Sequence, residues 1–135
     1  MTILEEEHVP IRSDIDILVA RQQGRQMAAT IGLTTVDQVA TATAISELAR
    51  NILQYARPGE IVLSLVQQDD KRGIMVVARD DGPGIPDLEL VLQGGYSISG
   101  GLGLGLSGTK RLMDEFDIDS QVGRGTTVTV KKWRG

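Results

Sequence analysis

Two apolar segments joined by a short polar loop constrain this chain more than any other feature. Glu60 to Gln67 alternates, with Ile61, Leu63 and Leu65 on one face, as a half-buried strand does. Ile74 to Arg79 follows as a continuous apolar run suited to a buried central strand. Asp69-Asp70-Lys71-Arg72-Gly73 between them has the composition of a hairpin loop. Consecutive strands joined in this way pair antiparallel.

The surrounding sequence supplies the other layer. Ser13 is placed as a helix N-cap, with Asp14 and Asp16 in the first turn. Ile17, Ala20, Gly24, Met27, Ala28 and Ile31 fall on one helical stripe, and Gly32 is a natural stop. Gly24 costs about 1 kcal/mol relative to Ala inside a helix, so its presence points to tight packing there. A second helix is expected from Thr34 or Thr35 to just before Pro58-Gly59, with Val39, Ala42, Ile45, Ala49, Ile52, Leu53 and Ala56 on its apolar face. A short strand is expected within residues 3–12, around Val9 and Ile11, and a glycine-rich loop over residues 82–106. A third helix is expected over Ser107 to Glu115, then strands near Ile118–Gln121 and Thr126–Lys132. The fold class that follows is α/β: a two-layer sandwich with a mixed, mostly antiparallel sheet and three helices on one face.

Composition narrows the function classes. The 135 residues suit a single domain spanning 1–135. Hydrophobic content is 41% but aromatic content only 3%, so the core rests on Leu, Ile, Val and Ala. The absence of cysteine rules out disulfides and thiolate chemistry. A net charge of −4 disfavours nucleic acid as a partner. No apolar run approaches the roughly 20 residues of a membrane helix, and Met1 to His8, with three consecutive glutamates, lacks a secretory apolar region. A cytoplasmic protein that binds neither membrane nor nucleic acid is expected.

Four segments carry chemistry. In Glu47-Leu48-Ala49-Arg50-Asn51, Glu47 and Asn51 share a helical face with the small Ala40 and Ala44 beside them. Such a carboxylate and amide can face a metal–phosphate group, or simply form a solvated polar face. In Asp80-Asp81-Gly82-Pro83-Gly84-Ile85, an aspartate at a strand end can accept a hydrogen bond from an adenine amino group. Gly82 and Gly84 would let the backbone approach the base, and a tight turn is the plainer alternative. In Gly100-Gly101-Leu102-Gly103-Leu104-Gly105-Leu106, alternating glycines free N–H groups for phosphate oxygens ahead of a helix N-terminus. No Gly-Lys-Ser/Thr follows, so this is not a Walker A loop. Gly123-Arg124-Gly125-Thr126 is by itself only a hairpin.

In this order and spacing the four segments resemble the GHKL ATPase superfamily, which comprises gyrase, Hsp90, histidine kinase and MutL ATP domains. Glu47 to Asn51 would be the N box. Asp80, Gly82 and Gly84 would be the first glycine box, and Gly101, Gly103 and Gly105 the second. Gly125 and Thr126 would be the Gly-Thr pair before the last strand. Ala44 to Ile52, Asp81 to Asp87 and Lys110 to Phe116 further resemble the RsbT type of switch kinase. That family phosphorylates serine or threonine on STAS-domain proteins of the stressosome, then activates a PP2C-type phosphatase. The resemblance implies ATP and Mg²⁺ as cofactors, with Asn51 at the metal and Glu47 polarising the acceptor hydroxyl. It implies that Asp80 reads adenine, that Gly82 and Gly84 shape the base pocket, and that Gly101, Gly103 and Gly105 form the phosphate lid. Thr126 would support the adenine end. One position departs: many relatives carry a basic residue three after the metal-binding Asn, and here it is Gln54. Arg50, Lys110 and Arg111 are the cations left to meet phosphate charge.

Three other functions compete with this expectation. One is an anti-sigma factor that binds a sigma factor and phosphorylates its antagonist. Another is a docking module with little kinase activity. The third is an ATPase without a protein acceptor. His8, in an N-terminus expected to be mobile, is not expected to carry a phosphate. Glu5-Glu6-Glu7 is expected to be a solvated run, and Trp133 and Phe116 to pack.

Overall fold

The computed structural model describes residues 1–55, 58–84 and 102–135. Its elements in chain order are β1 (Thr2–Ile11), α1 (Asp14–Thr30), α2 (Thr35–Tyr55), β2 (Gly59–Gln68), β3 (Lys71–Asp80), α3 (Leu102–Leu112), β4 (Glu115–Gln121) and β5 (Gly125–Trp133). The strands form one five-stranded sheet in the order β1-β2-β3-β5-β4, and the helices pack on one face of it. Every described pairing is antiparallel, so the sheet is not mixed.

Local chemistry sets the helix ends. Asp16 Oδ2 accepts from the backbone N–H groups of Arg12 and Ser13 at 2.8 and 3.0 Å, closing the first turn of α1 around N-cap Ser13. Gly32, at φ +93°, ends that helix as its sequence position suggests. Thr34 Oγ1 accepts from Asp37 N–H at 3.2 Å and starts α2. The α1 stripe is buried throughout. Gly24 touches α2: a Cβ there would collide with the end of the fully buried Ile45 side chain.

Three expectations fail for reasons of packing. Val39 is 46% exposed, because α2 turns Thr41, Ala42, Ala44, Ile45, Leu48, Ala49 and Ile52 inward and leaves Val39 outside that face. Ala56 lies outside the described residues. β2 is buried continuously from Ile61 to Val66 rather than on alternate positions. It is an inner strand between β1 and β3, and the neighbouring side chains shield its second face as well. The N-terminus is not loose: β1 pairs with β2 along its length, placing His8 opposite Val62. His8 Nε2 lies 2.6 Å from Glu6 Oε1, and its Nδ1 lies 3.3 Å from Glu60 Oε2. Glu5, Glu6 and Glu7 are therefore strand residues, solvated but ordered by pairing.

The C-terminal strand holds the last helix in place. Lys132, only 15% exposed, donates to the Leu112 carbonyl at 2.9 Å, where α3 ends. It also pairs with Asp114 at 3.4 Å and Asp37 at 3.8 Å, which links α3 to the start of α2. Trp133 is buried, with its indole N–H donated to Glu115 and the Lys71 ammonium 4.9 Å from its ring centroid. Gly73 lies opposite Trp133, where any Cβ would overlap the Lys132 carbonyl and the indole ring. Gly108, inside α3, has nothing within 4 Å of a Cβ placed there among the described residues. Gly73→Ala is expected to lower stability by about 1–3 kcal/mol through overpacking. Gly108→Ala is expected to raise it by about 1 kcal/mol through helix propensity. Urea unfolding of both variants checks the opposite signs.

Candidate ATP site

The site is organised by the end of β3. Asp80 is the last residue of that strand, opposite Gly59 of β2 and Thr126 of β5. Its register puts it on the helix-bearing face with Ala78 and Val128. Asp80 Oδ1 accepts from Gly82 N–H at 2.9 Å and from Thr126 N–H at 3.2 Å. One carboxylate oxygen thus fixes both the start of the following loop and the start of β5. Oδ2 takes neither of these bonds. It remains able to accept a hydrogen bond from an exocyclic amino group.

Burial has the largest effect on this carboxyl and pushes its pKa above the ordinary aspartate range. The two backbone N–H bonds act in the opposite direction, and the nearby charge of Asp81 adds to the rise.

Close backbone approaches hold the cradle shut. Gly125, at φ +103°, brings its backbone so near the Asp80 carbonyl that no side chain fits between them. Gly84, at φ +78°, is pressed in the same way against Gln121 and Val122. Gly123 N–H donates to the Pro83 carbonyl at 2.9 Å. The Asp-x-Gly-x-Gly loop and the β4–β5 turn therefore form one packed unit. Ser120 belongs to it as well, with its Oγ 2.8 Å from Thr126 Oγ1. Sequence reasoning missed Ser120. Only its register opposite Thr126 reveals it, and that register depends on the pairing of β4 with β5.

Helix α2 supplies the second half. Ile52 of α2 and Asp80 both crowd Gly59, so the C-terminal part of α2 meets the end of β3. Glu47 and Asn51 lie one turn apart on this helix. Of the small side chains beside them, Ala44 is fully buried in the core cluster, whereas Ala40 is only half-buried. Asn51 is half-buried, and its side-chain nitrogen has no hydrogen-bond partner among the described residues. A buried amide left unpaired is costly, and it fits a group whose partner is a ligand. No cluster of three acidic, His or Cys side chains among the described residues could hold a metal ion. A Mg²⁺ ion bound through one amide oxygen, nucleotide phosphates and water is compatible with this sparse set.

The phosphate segment is only partly described. Gly101 lies outside the described residues, whereas Gly103 and Gly105 fall within the first turns of α3 rather than in a loop. The helix starts five residues earlier than expected, at Leu102, because it also recruits Leu106, which is buried in the core cluster. The N-terminal end of a helix is suited to phosphate oxygens, so the expected chemistry moves from loop to helix turn.

Residues 36–134 match the model of the histidine kinase-, DNA gyrase B- and HSP90-like ATPase family. The chain belongs to this family. Along 129 residues, 96% of the chain and 97% of the relative, it is 50% identical to the serine/threonine-protein kinase RsbT of Bacillus subtilis. An anti-sigma F factor of Geobacillus stearothermophilus is 31% identical over 84% of the chain and 81% of that protein. Among solved structures, the RsbU and RsbW domains of a Mycobacterium tuberculosis protein superpose with a TM-score of 0.66 at 22% identity, covering 97% of this chain and 33% of that one. A mycobacterial sensor histidine kinase, MprB, superposes at 0.59 and 22% identity, covering 94% of this chain and 97% of that one. These two likenesses show the shared fold of the ATPase family. None of its described helices is long and apolar enough to cross a membrane.

The raised pKa of Asp80 has a consequence for stability. A carboxyl that holds its proton more tightly when folded contributes most below the unfolded value, and loses that contribution as pH rises through the folded value. Asp80→Asn cannot ionise and keeps an oxygen for Gly82 and Thr126. The variant is expected to be more stable than the parent at pH 7, with the difference vanishing below about pH 4. Urea titrations at both pH values measure it.

Proposed function

We propose that the chain is an ATP-dependent protein serine/threonine kinase of the RsbT type, acting in the cytoplasm on STAS-domain proteins. Once released from them, it activates a PP2C-type phosphatase. The observation that carries this reading is the match to a serine/threonine kinase at 50% identity along nearly the whole of both chains. The geometry supports it. Asp80 Oδ2 is free to take the adenine amino group while Oδ1 holds the cradle. Gly82 and Gly84 shape the base pocket, and Thr126, braced by Ser120, lines its adenine end. Gly103 and Gly105 lie in the first turns of α3, and by the family resemblance they would close over the phosphates together with Gly101.

The chemistry asks mainly for positioning and charge neutralisation. Asn51 would hold Mg²⁺, which neutralises phosphate charge when bound. Glu47 is half-buried on the adjoining turn and takes the acceptor hydroxyl's proton as the oxygen engages phosphorus. Gln54, exposed on the same helix, supplies no charge to the phosphates. The second reading, an anti-sigma factor that phosphorylates its antagonist, is favoured by the 31% identity to an anti-sigma F factor. Capture of a sigma factor, rather than of a phosphatase, would select it.

The test is incubation with Mg-ATP labelled at the γ-phosphate and a STAS-domain partner, followed by mass spectrometry. Label is expected on a partner serine or threonine and lost in Asn51→Ala. Glu47→Ala is expected to abolish transfer while ATP still binds, and undiminished transfer would remove the base assignment. Asp80→Asn is expected to weaken ATP binding roughly 10–100-fold in calorimetry, the worth of one hydrogen bond to a charged group.

A further inference from the structure

Arg50 has no task in the transfer just described, yet it is bonded to the base. Its Nη1 donates to Glu47 Oε1 at 2.8 Å. The Arg50 side chain is 47% exposed and the Glu47 side chain 35%. Among the described residues, Glu47 pairs with no other cation and Arg50 with no other carboxylate. Successive residues of a helix turn by roughly 100°, so Glu47 lies between Arg50 on one flank and Asn51 on the other. Asn51 is on the inward flank, with a buried amide nitrogen. Arg50 is on the outward flank, with its side chain 47% exposed.

We propose that Arg50 is a latch on Glu47, released when a carboxylate beside the acceptor hydroxyl takes over the guanidinium. This inference rests on Glu47 being the base. The bond to Oε1 fixes the orientation of the Glu47 carboxylate, so it cannot turn that oxygen to a nearby hydroxyl or water while the pair holds. With the latch closed, water in the site meets an engaged carboxylate and ATP is conserved. An exposed ion pair contributes little to stability, so exchanging one carboxylate partner for another is cheap. The planar guanidinium fork suits an incoming carboxylate, and the exchange needs only a change of Arg50 rotamer. Glu47 is then free. The acceptor oxygen bonds to the γ-phosphorus as the bond from that phosphorus to the β–γ bridging oxygen breaks. ADP leaves with the electron pair, and the hydroxyl proton passes to Glu47. The acceptor class that follows is a serine or threonine flanked by an acidic residue. Arg50 is a positioning residue in this scheme.

The decisive measurement is ADP release by the full chain in Mg-ATP without any protein acceptor. Arg50→Gln is expected to raise kcat for hydrolysis about two- to sixfold with KM for ATP unchanged, the range that an exposed pair of this kind can withhold. Arg50→Lys, which keeps the charge, is expected to stay near the parent rate. The double variant Arg50→Gln with Glu47→Ala is expected to show no rise. With a STAS-domain acceptor, Arg50→Gln is expected to raise KM for the acceptor. An unchanged hydrolysis rate in Arg50→Gln overturns the latch. So does a raised KM for ATP, which would put Arg50 on the phosphates. If Glu47→Ala alone leaves transfer intact, the base assignment fails. If Glu47→Ala abolishes transfer and Arg50→Gln does nothing, only the latch fails.

Discussion

A single carboxylate oxygen, Oδ1 of Asp80, joins three parts of the chain that are distant in sequence. It receives N–H groups from the loop after β3 and from the first turn of β5, while its own strand is fixed by β2. Backbone N–H groups at such a junction must find acceptors, and a strand end has few to offer. The aspartate serves as that acceptor, and in the proposed reading its other oxygen is kept for adenine. Structure and recognition therefore share one side chain. Its position costs something: burial disfavours its charge, and the two N–H groups recover only part of that loss.

The same junction explains the glycines that surround it. Gly84 and Gly125 are both left-handed, and both touch neighbouring backbone so closely that a Cβ would collide. Their role is to let the first glycine box, the β4–β5 turn and the end of β3 pack as one rigid unit. Gly73 does comparable work at the other end of the sheet, beneath Trp133. A chain with few aromatic residues relies on such close backbone contacts, because its aliphatic core offers less area per side chain.

The two halves of the site differ in rigidity. The adenine half is held by backbone contacts and by an aspartate that cannot move without disturbing two strands. The transfer half rests on α2 side chains that are partly exposed and change partners at little cost. A kinase acting on protein hydroxyls benefits from this division. In the proposed reading the nucleotide end stays preorganised, while the carboxylate assigned as base would respond to what docks against it.

Much of this was legible in the sequence, and the exceptions share a cause. The α1 stripe, its Ser13 cap, the Gly32 stop and the antiparallel pairing of β2 with β3 follow from local rules of periodicity and capping, although the turn is Asp69-Asp70 alone and the pairing takes up Lys71 to Gly73, which composition alone puts in the loop. What escaped depends on neighbours. Continuous burial of β2 follows from its place between two strands, and the order around His8, in a strand otherwise expected, comes from pairing with β2. The early start of α3 depends on a core that accepts Leu106. Ser120 and Arg50 carry no motif, and they matter through a register and a helical turn that bring them to Thr126 and Glu47. The sequence by itself determined which residues have the chemistry for a nucleotide site, because side-chain type and short-range spacing are written in it. Only the tertiary structure decided which atoms of those residues are already spent on the fold and which remain free, because hydrogen-bond partners are assigned between strands and helices far apart in the chain.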